Sequence, residues 1–267
     1  MIYIGGSPAG FAALARGYPA RSIEYICLYR LSKSAHGCSY SSREELVFEL
    51  AMRRATVSRA ERLRRSGLNF KTFKGSFCNA RYWRRDPDGG FELRRGAGPS
   101  AAVRDIYENG RAYGTECAAA MQIVYYGALM DTLPDGVFDR SFTAPPGGMR
   151  ARRGEGGIRL RDWRDISATL RETGEMRRAR DFLPGDRRYF ANPDVSLAGP
   201  EWQGENVIDM GDGTYYGHGV GRRGAGEIIE MLNRARRRGA RRGAYLVAAA
   251  GRPDYKKLYA LSSGGYI

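Results

Sequence analysis

The sequence predicts an α+β fold in which a cysteine-bearing helix packs on a mainly antiparallel sheet. Three stretches carry that expectation. "YGTECAAAMQIVYYGALM", Tyr113 to Met130, is apolar on nearly every face, as a central buried helix must be. Ser42 stands three residues before Glu45 at the head of a long helical pattern, a capping-box signature. The last third alternates strand-like words with glycine turns, and Asp212-Gly213 is a hairpin signal. Strands joined by tight turns pair antiparallel.

Taken in order, "MIYIGGSPAG" reads as a strand and a glycine turn. Ser7 occupies the place of the second glycine in a dinucleotide fingerprint, and Pro19 follows too soon for a long helix, so no such site is expected. "SIEYICLY" reads as a strand, which makes Cys27 a core residue. From Ser42 a helix should run over about residues 43–66 and stop at Gly67. "FKTF" and "ARYWRRDPDGGFELRR" are short strands, the latter joined around Asp88-Gly89-Gly90, and "SAAVRDIYENG" is a short helix ending near Gly110. The cysteine helix is expected from about Thr115 to Thr132, with Pro134 beyond it. Thr115 would be the N-cap, placing Glu116 and Cys117 in the first turn.

Residues 144–157, "APPGGMRARRGEGG", are poor in apolar side chains and rich in glycine and arginine, the composition of a mobile insertion. Beyond it, "LPGDRRYFANPD" turns into a strand and "GENVIDMGDGTYYGHGVG" forms a hairpin. "GEIIEMLNRARRRG" is an amphipathic helix, and "GAYLVAAA" a further apolar segment. Too little core lies on either side of the insertion to split the chain, so residues 1–267 read as one domain.

Composition narrows the function. A hydrophobic share of 42% describes a globular chain, and no run of about 18 apolar residues is present to insert in a membrane. "MIYIGGSPAG" lacks the basic and apolar regions of an export signal. Cys27, Cys38, Cys78 and Cys117 show no pairing motif and read as reduced thiols. The net charge of +15 is concentrated in stretches such as "RARRRGARR", Arg234 to Arg242. It is also spread along most of the chain, and neither zinc-finger spacing nor an aromatic RNA-binding signature accompanies it. A solvated basic surface facing acidic proteins therefore fits better than specific nucleic-acid recognition.

Thiol catalysis needs a cysteine with access to a base, and helix starts favour it. Backbone N–H groups there stabilise a thiolate and can hold an oxyanion. Cys117 alone among the four cysteines has that position in the predicted pattern. His36 and His218 are the two imidazoles available, the first in a loop and the second in the hairpin's second strand. His36 and Cys38 have no second pair to complete a zinc site, and no calcium loop pattern occurs, so no metal or other cofactor is expected. A helix-start cysteine, a "PGD" turn and a strand-borne histidine, in that order, resemble the NlpC/P60 branch of papain-like enzymes.

Longer words are more specific. "ENGRAYGTECAAAMQIVYYGALMDTLPDGVF", "GDRRYFANPD", "EWQGENVIDMGDGTYYGHGVG" and "MLNRARRRGARRGAYL" resemble the spore-type protein-glutamine γ-glutamyltransferases, from about Ser42 to Tyr259. Residues 1–40 and 144–157 depart from the resemblance. It implies a single papain-like domain that acts as a monomer without calcium and cross-links glutamine- and lysine-bearing spore coat proteins. Its place would be the mother-cell cytoplasm and then the coat. The nucleophile falls on Cys117, and the assisting carboxylates on Glu205 and Glu116, with His218 nearby. Phe70, Trp163 and Trp202 become candidates to line a substrate tunnel. A cysteine amidase or peptidase on the same scaffold is the alternative reading.

The choice of base turns on the hairpin. Imidazole titrates near neutrality, which favours His218, whereas the resemblance favours Glu205. A two-residue Asp212-Gly213 turn would set Val207 opposite His218 and leave Glu205 on the same sheet face, one diagonal step away. A three-residue loop would set His218 opposite Asn206, on the other face. Whichever base acts, Cys117→Ala is expected to abolish incorporation of a labelled amine into a glutamine-bearing protein. Alanine at Cys27, Cys38 or Cys78 should leave it measurable.

Overall fold

The computed structural model describes residues 1–143, 157–161, 170 and 182–262. The insertion expected over residues 144–157 lies outside these residues except for Gly157, as does Trp163. Strand β1 (Ile2–Ile4) turns at Gly5-Gly6 into β2 (Ser7–Ala9), and a short helix α1 (Phe11–Ala15) follows. "SIEYICLY" is then helical rather than a strand: α2 spans Ile23–Ser32. The Ser22 hydroxyl caps it by accepting the Tyr25 N–H at 3.2 Å, and Cys27, Leu28 and Leu31 are buried on one side. Positions i, i+1 and i+4 share a helix face, so packing overrides the β preference of Ile and Tyr in this word. Cys27 is buried as expected.

Strand β3 (Cys38–Tyr40) pairs in parallel with β1, making β1 the middle strand of a small sheet. The long helix α3 (Arg43–Arg65) follows, with the Ser42 hydroxyl accepting the Glu45 N–H at 3.2 Å. Glu45 turns back one residue further than a capping box requires and accepts the Ser41 N–H at 2.6 Å. Strand β4 (Asn69–Phe70) runs parallel to β7 (Gly114–Thr115). Between them, β5 (Trp83–Arg85) and β6 (Phe91–Leu93) form the expected hairpin, and helix α4 (Pro99–Glu108) follows.

Helix α5 (Cys117–Thr132) is buried from Ala118 to Leu129 and packs against α3 on one side and against strand β10 (Gly204–Asp209) on the other. A short α6 (Val137–Phe142) and strand β8 (Arg159–Leu160), which joins β6, complete the middle of the chain. The principal sheet takes β9 (Arg187–Ala191), β10, β11 (Thr214–Gly217), β12 (Gly221–Gly224) and β13 (Tyr245–Leu246). Its order is β12-β11-β10-β9-β13 and every pair is antiparallel. Helix α7 (Ala225–Arg234) covers part of the face turned away from α5, where Ile228 and Leu232 meet Phe190 and Val207. Helix α8 (Tyr255–Ser262) packs on α3.

The β10–β11 hairpin does not have the two-residue turn. Val207 lies opposite Gly217, Asp209 opposite Tyr215, and the Met210 N–H donates to the Thr214 carbonyl at 3.0 Å. The loop is therefore Gly211-Asp212-Gly213. Both glycines have φ near +87°, a conformation open to glycine and strained for other residues. Carboxylates hold it from both ends: Asp209 accepts the Gly211 N–H at 2.8 Å and Asp212 the Thr214 N–H at 3.1 Å. With this register His218 falls level with Asn206, and the ladder stops at Gly217 before reaching it. Glu205 and His218 are not same-face diagonal neighbours.

One buried ionic cluster ties the elements together. The fully buried Arg53 of α3 contacts Glu49 at 2.8 Å, Asp186 at 2.9 Å and the Pro184 carbonyl at 2.9 Å. Arg252 reaches the other Asp186 oxygen at 2.6 Å, and Tyr40 donates to Glu49 at 2.9 Å. Asp186 thereby joins α3, the turn that launches β9 and the segment before α8. Asp186→Ala would take from Arg53 and Arg252 the buried carboxylate they share, so it is expected to lower stability by about 3–5 kcal/mol in urea unfolding.

Candidate active site

Helix α5 begins at Cys117, and its N-cap is Glu116 rather than Thr115. Thr115 belongs to β7, and its carbonyl accepts the Lys71 N–H at 2.8 Å, so its backbone is committed to strand pairing. The Glu116 carboxylate accepts the Ala118 N–H at 2.7 Å and the Ala119 N–H at 2.6 Å. The Glu116 carbonyl accepts the Ala120 N–H at 3.1 Å. The expectation of open first-turn donors is thus met only at Cys117 itself, whose N–H is the one that Glu116 does not hold.

The thiol does not behave as a helix-start position alone would predict. Cys117 keeps partial exposure, yet its sulfur is packed within the protein, and burial pushes the thiol well above its usual range. The charges of Glu205 and then Glu116 push in the same direction. Opposing them, the Asn206 side-chain amide approaches the sulfur at 3.4 Å. Arg187 donates to the Asn206 carbonyl oxygen at 3.0 Å, which turns the NH2 end of the amide toward the sulfur. Desolvation and two carboxylates outweigh the helix terminus here.

Glu205 is 1% exposed on β10. One of its oxygens accepts the Gly219 N–H at 2.8 Å, and no cation among the described residues pairs with it. Burial, reinforced by Glu116, pushes its carboxyl up to about 8 against the opposing Gly219 hydrogen bond. Room for the carboxylate comes from missing side chains. A Cβ at Gly217 would stand 2.7 Å from one Glu205 oxygen, and one at Gly219 would stand 3.1 Å from the other and 3.1 Å from the Phe70 ring.

His218 gives its Nε2 to the Asn69 carbonyl at 3.0 Å, not to Cys117 or Glu205. Because a carbonyl only accepts, Nε2 carries the proton. Burial lowers this imidazole to about 4, so it is neutral at ordinary pH. Phe70 packs edge-on against it with ring centroids 5.8 Å apart, and Trp202 lies against Phe70 at 5.6 Å. Phe70 pairs in register with Thr115, two residues before Cys117. The structure therefore gathers Cys117, Glu116, Glu205, His218, Phe70 and Trp202 around the start of α5. His36 is exposed in a distant loop.

Sequence reasoning passed over Asn206, although it stands inside the word "GENVI" beside Glu205. It also passed over Tyr189, whose hydroxyl would lie 2.1 Å from a Cβ at Gly204 and whose phenol is raised by burial and then by the charges of Cys117 and Glu205. Strand alternation on β9 was the available signal for Tyr189. Among the described residues no group of three or more His, Cys, Asp or Glu comes together to hold a metal ion.

A helix-start cysteine coupled to a buried carboxylate is an arrangement suited to thiol-dependent acyl transfer. The chain belongs to the protein-glutamine gamma-glutamyltransferase family, which matches it over residues 1–262 and so takes in the first forty residues. A protein-glutamine gamma-glutamyltransferase of Bacillus pumilus is 36% identical over 95% of this chain and 96% of its own length. One from Bacillus subtilis is 39% identical over 82% and 83%. Among solved structures, a transglutaminase from Geobacillus stearothermophilus without its C-terminal extension aligns with a TM-score of 0.73 at 36% identity. That match covers 83% of this chain and 98% of the other.

The Glu205 shift has a thermodynamic consequence. Unfolded, this carboxyl titrates near 4.3; folded, at about 8. Stability linked to its proton is fully present below the lower value and is lost as pH rises through the upper one. Glu205→Gln keeps an acceptor for the Gly219 N–H and removes the charge. Its melting temperature should exceed the parent's by a margin that widens from pH 5 to pH 9, reaching roughly 5–10 °C. A margin that stays flat across thermal scans in that range would show that Glu205 is not buried as a charge.

Proposed function

We propose that this chain joins protein glutamine to protein lysine, with Cys117 as nucleophile and Glu205 as the principal base. The observation that carries the reading is the buried Glu205 carboxyl, raised to about 8 and electrostatically coupled to the Cys117 thiol. Ionised Glu205 takes the thiol proton as sulfur attacks the glutamine carboxamide carbon. The C–N bond then breaks, the proton passes to the leaving nitrogen, ammonia departs, and a thioester remains. A lysine amine attacks the thioester, its proton moves to Glu205 and on to the departing sulfur, and the isopeptide forms. A base near 8 suits a lysine amine better than an ordinary glutamate near 4.3.

The remaining roles follow from position. Glu116 acts in part as a substitute base, while its present bonds cap α5. His218 positions Phe70 and the Asn69 backbone instead of moving protons. Phe70 and Trp202 line the approach for the acyl and amine groups; Trp163, the third aromatic suggested by the sequence, lies outside the described residues. A dry, aromatic approach would favour lysine over water. The packing of α5 against an antiparallel sheet supports a papain-like core.

The wider setting is an extension of the same reading. Glutamine- and lysine-bearing coat proteins would be the substrates, met first in the mother-cell cytoplasm and then in the coat, with a monomer acting without calcium. The strongly basic composition supports contact with acidic protein surfaces. Among the described residues no helix is long and apolar enough to cross a membrane.

Amine incorporation measured with EDTA present tests the chemistry. Turnover should survive EDTA and rise with pH through about 8, where Glu205 ionises. Glu205→Ala should lose at least ~100-fold. Glu116→Ala should lose less, and the double variant should be nearly inactive. His218→Ala should weaken turnover yet keep the limb near 8. An unchanged rate and pH profile in Glu205→Ala would overturn the assignment of the base.

A further inference from the structure

The part of the sheet face turned away from α5 that α7 leaves uncovered forms one wall of a cavity of about 690 Å³. Among the described residues it is lined by Tyr29, Arg30 and Lys33 of α2, by Phe182, and by Arg188, Asp209, Gly213 and Tyr215 of the sheet. Arg188 is opposite Val207 and Asp209 is opposite Tyr215, so these side chains share a face. Asn206, which touches Cys117, projects from the other face. Glu205 lies at the far end of β10, four residues from Asp209, or about 13 Å along the strand.

The charges around this cavity are unbalanced. Three cations face it, and Asp209 is the single carboxylate among the described lining residues. Arg188 is 4% exposed. Its guanidinium donates to the carbonyls of Ala249 at 2.9 Å and Val247 at 3.1 Å through Nε and Nη2, leaving Nη1 without a partner among the described residues. Arg30 donates to the Phe182 carbonyl at 3.1 Å and comes no nearer to Asp209 than 4.0 Å. Among the described residues the Lys33 ammonium has the Tyr29 ring for a partner, at 5.9 Å. Asp209 gives its other oxygen to the Gly211 N–H and is one carboxylate set against three cations among the described lining residues. Burial lowers Arg188, the charges of Tyr215, Asp209 and Asp186 offset this only in part, and Arg30 adds to the lowering.

The remaining walls are aromatic. Tyr29 is half exposed at the rim, and Tyr215 and Phe182 lie deeper, with the Arg188 guanidinium stacked 3.7 Å from the Phe182 ring. Cations and rings set side by side in one lining suit a ligand that carries both an anionic group and a ring. The volume is that of ordinary small-molecule sites. We propose that this cavity binds a small organic anion: a phosphate carried on an aromatic ring, its charge met by Arg188, Arg30 and Lys33 and its ring by Tyr29 and Tyr215. Binding there is separate from acyl transfer and does not require Cys117.

Phenyl phosphate is the probe, titrated calorimetrically into the full chain in low-salt buffer beside inorganic phosphate and phenol. Saturable binding of phenyl phosphate at least tenfold tighter than either half alone is expected. Lys33→Glu and Tyr29→Ala, both at exposed positions, should each weaken it at least fivefold, the first through the phosphate and the second through the ring. Protein alkylated at Cys117 should bind equally well. No saturable binding, or affinity equal to that of inorganic phosphate (an adventitious ion only), would overturn the proposal. So would indifference to Lys33→Glu, or loss of binding on Cys117 alkylation, which would place the ligand at the thiol.

Discussion

Helix α5 is enclosed by protein from Ala118 to Leu129, and that enclosure governs the rest of the molecule. A helix leaves backbone polar groups without intrahelical partners only at its ends. Its N-terminus emerges beside the start of β10, where Glu116 satisfies two of the orphan N–H groups with a full negative charge. The same residue that finishes the helix thus fixes a charge next to the thiol. The same side chain steadies the helix start and adds, after burial and the charge of Glu205, to the reluctance of Cys117 to ionise.

Two buried carboxylates of the sheet region show how differently the fold can treat an acid. Asp186 is surrounded by Arg53, Arg252 and the Leu183 N–H, so its charge is a mechanical joint between helix and sheet. Glu205 receives one backbone donor and a second negative charge nearby, so its charge is resisted. The first arrangement holds elements together. The second keeps a proton available at a pH where ordinary glutamates have none, at the expense of stability once that proton leaves.

The long helices were legible because each bears its own markers: Ser42 and Gly67 bound α3, and an unbroken apolar run declares α5. The antiparallel character of the last third followed from its turns. Helix α2 was misread because Ile, Tyr and Cys carry β preference, while the cap at Ser22 and the burial of Leu28 and Leu31 decide the matter through contacts distant in sequence. The cap of α5 was misplaced by one residue because the pairing of Thr115 with β4 is non-local. Within the site, the quoted words named Cys117, Glu205, Glu116 and His218. The Asn206 amide became visible only once the register of β10 and the bond from Arg187 were known. A raised carboxyl is likewise a property of surroundings, which no single residue letter conveys.

The Gly211-Asp212-Gly213 loop sits at a surface tip, the kind of place where chains usually accept added or removed residues. Here its length acts as a ruler. The ladder it sets ends at Gly217, and that ending brings the Gly219 N–H to Glu205 and the His218 ring to Asn69. Lengthening or shortening the loop by one residue would slide β11 by one place and exchange its two faces. The one side chain in this loop, that of Asp212, bonds Thr214 and Arg222 and not the thiol, yet the loop's residue count is part of the site. Sequence drift in this tip is therefore constrained in count as well as by the two glycines its backbone requires, and a one-residue deletion there would be as disruptive to the site as a substitution within it.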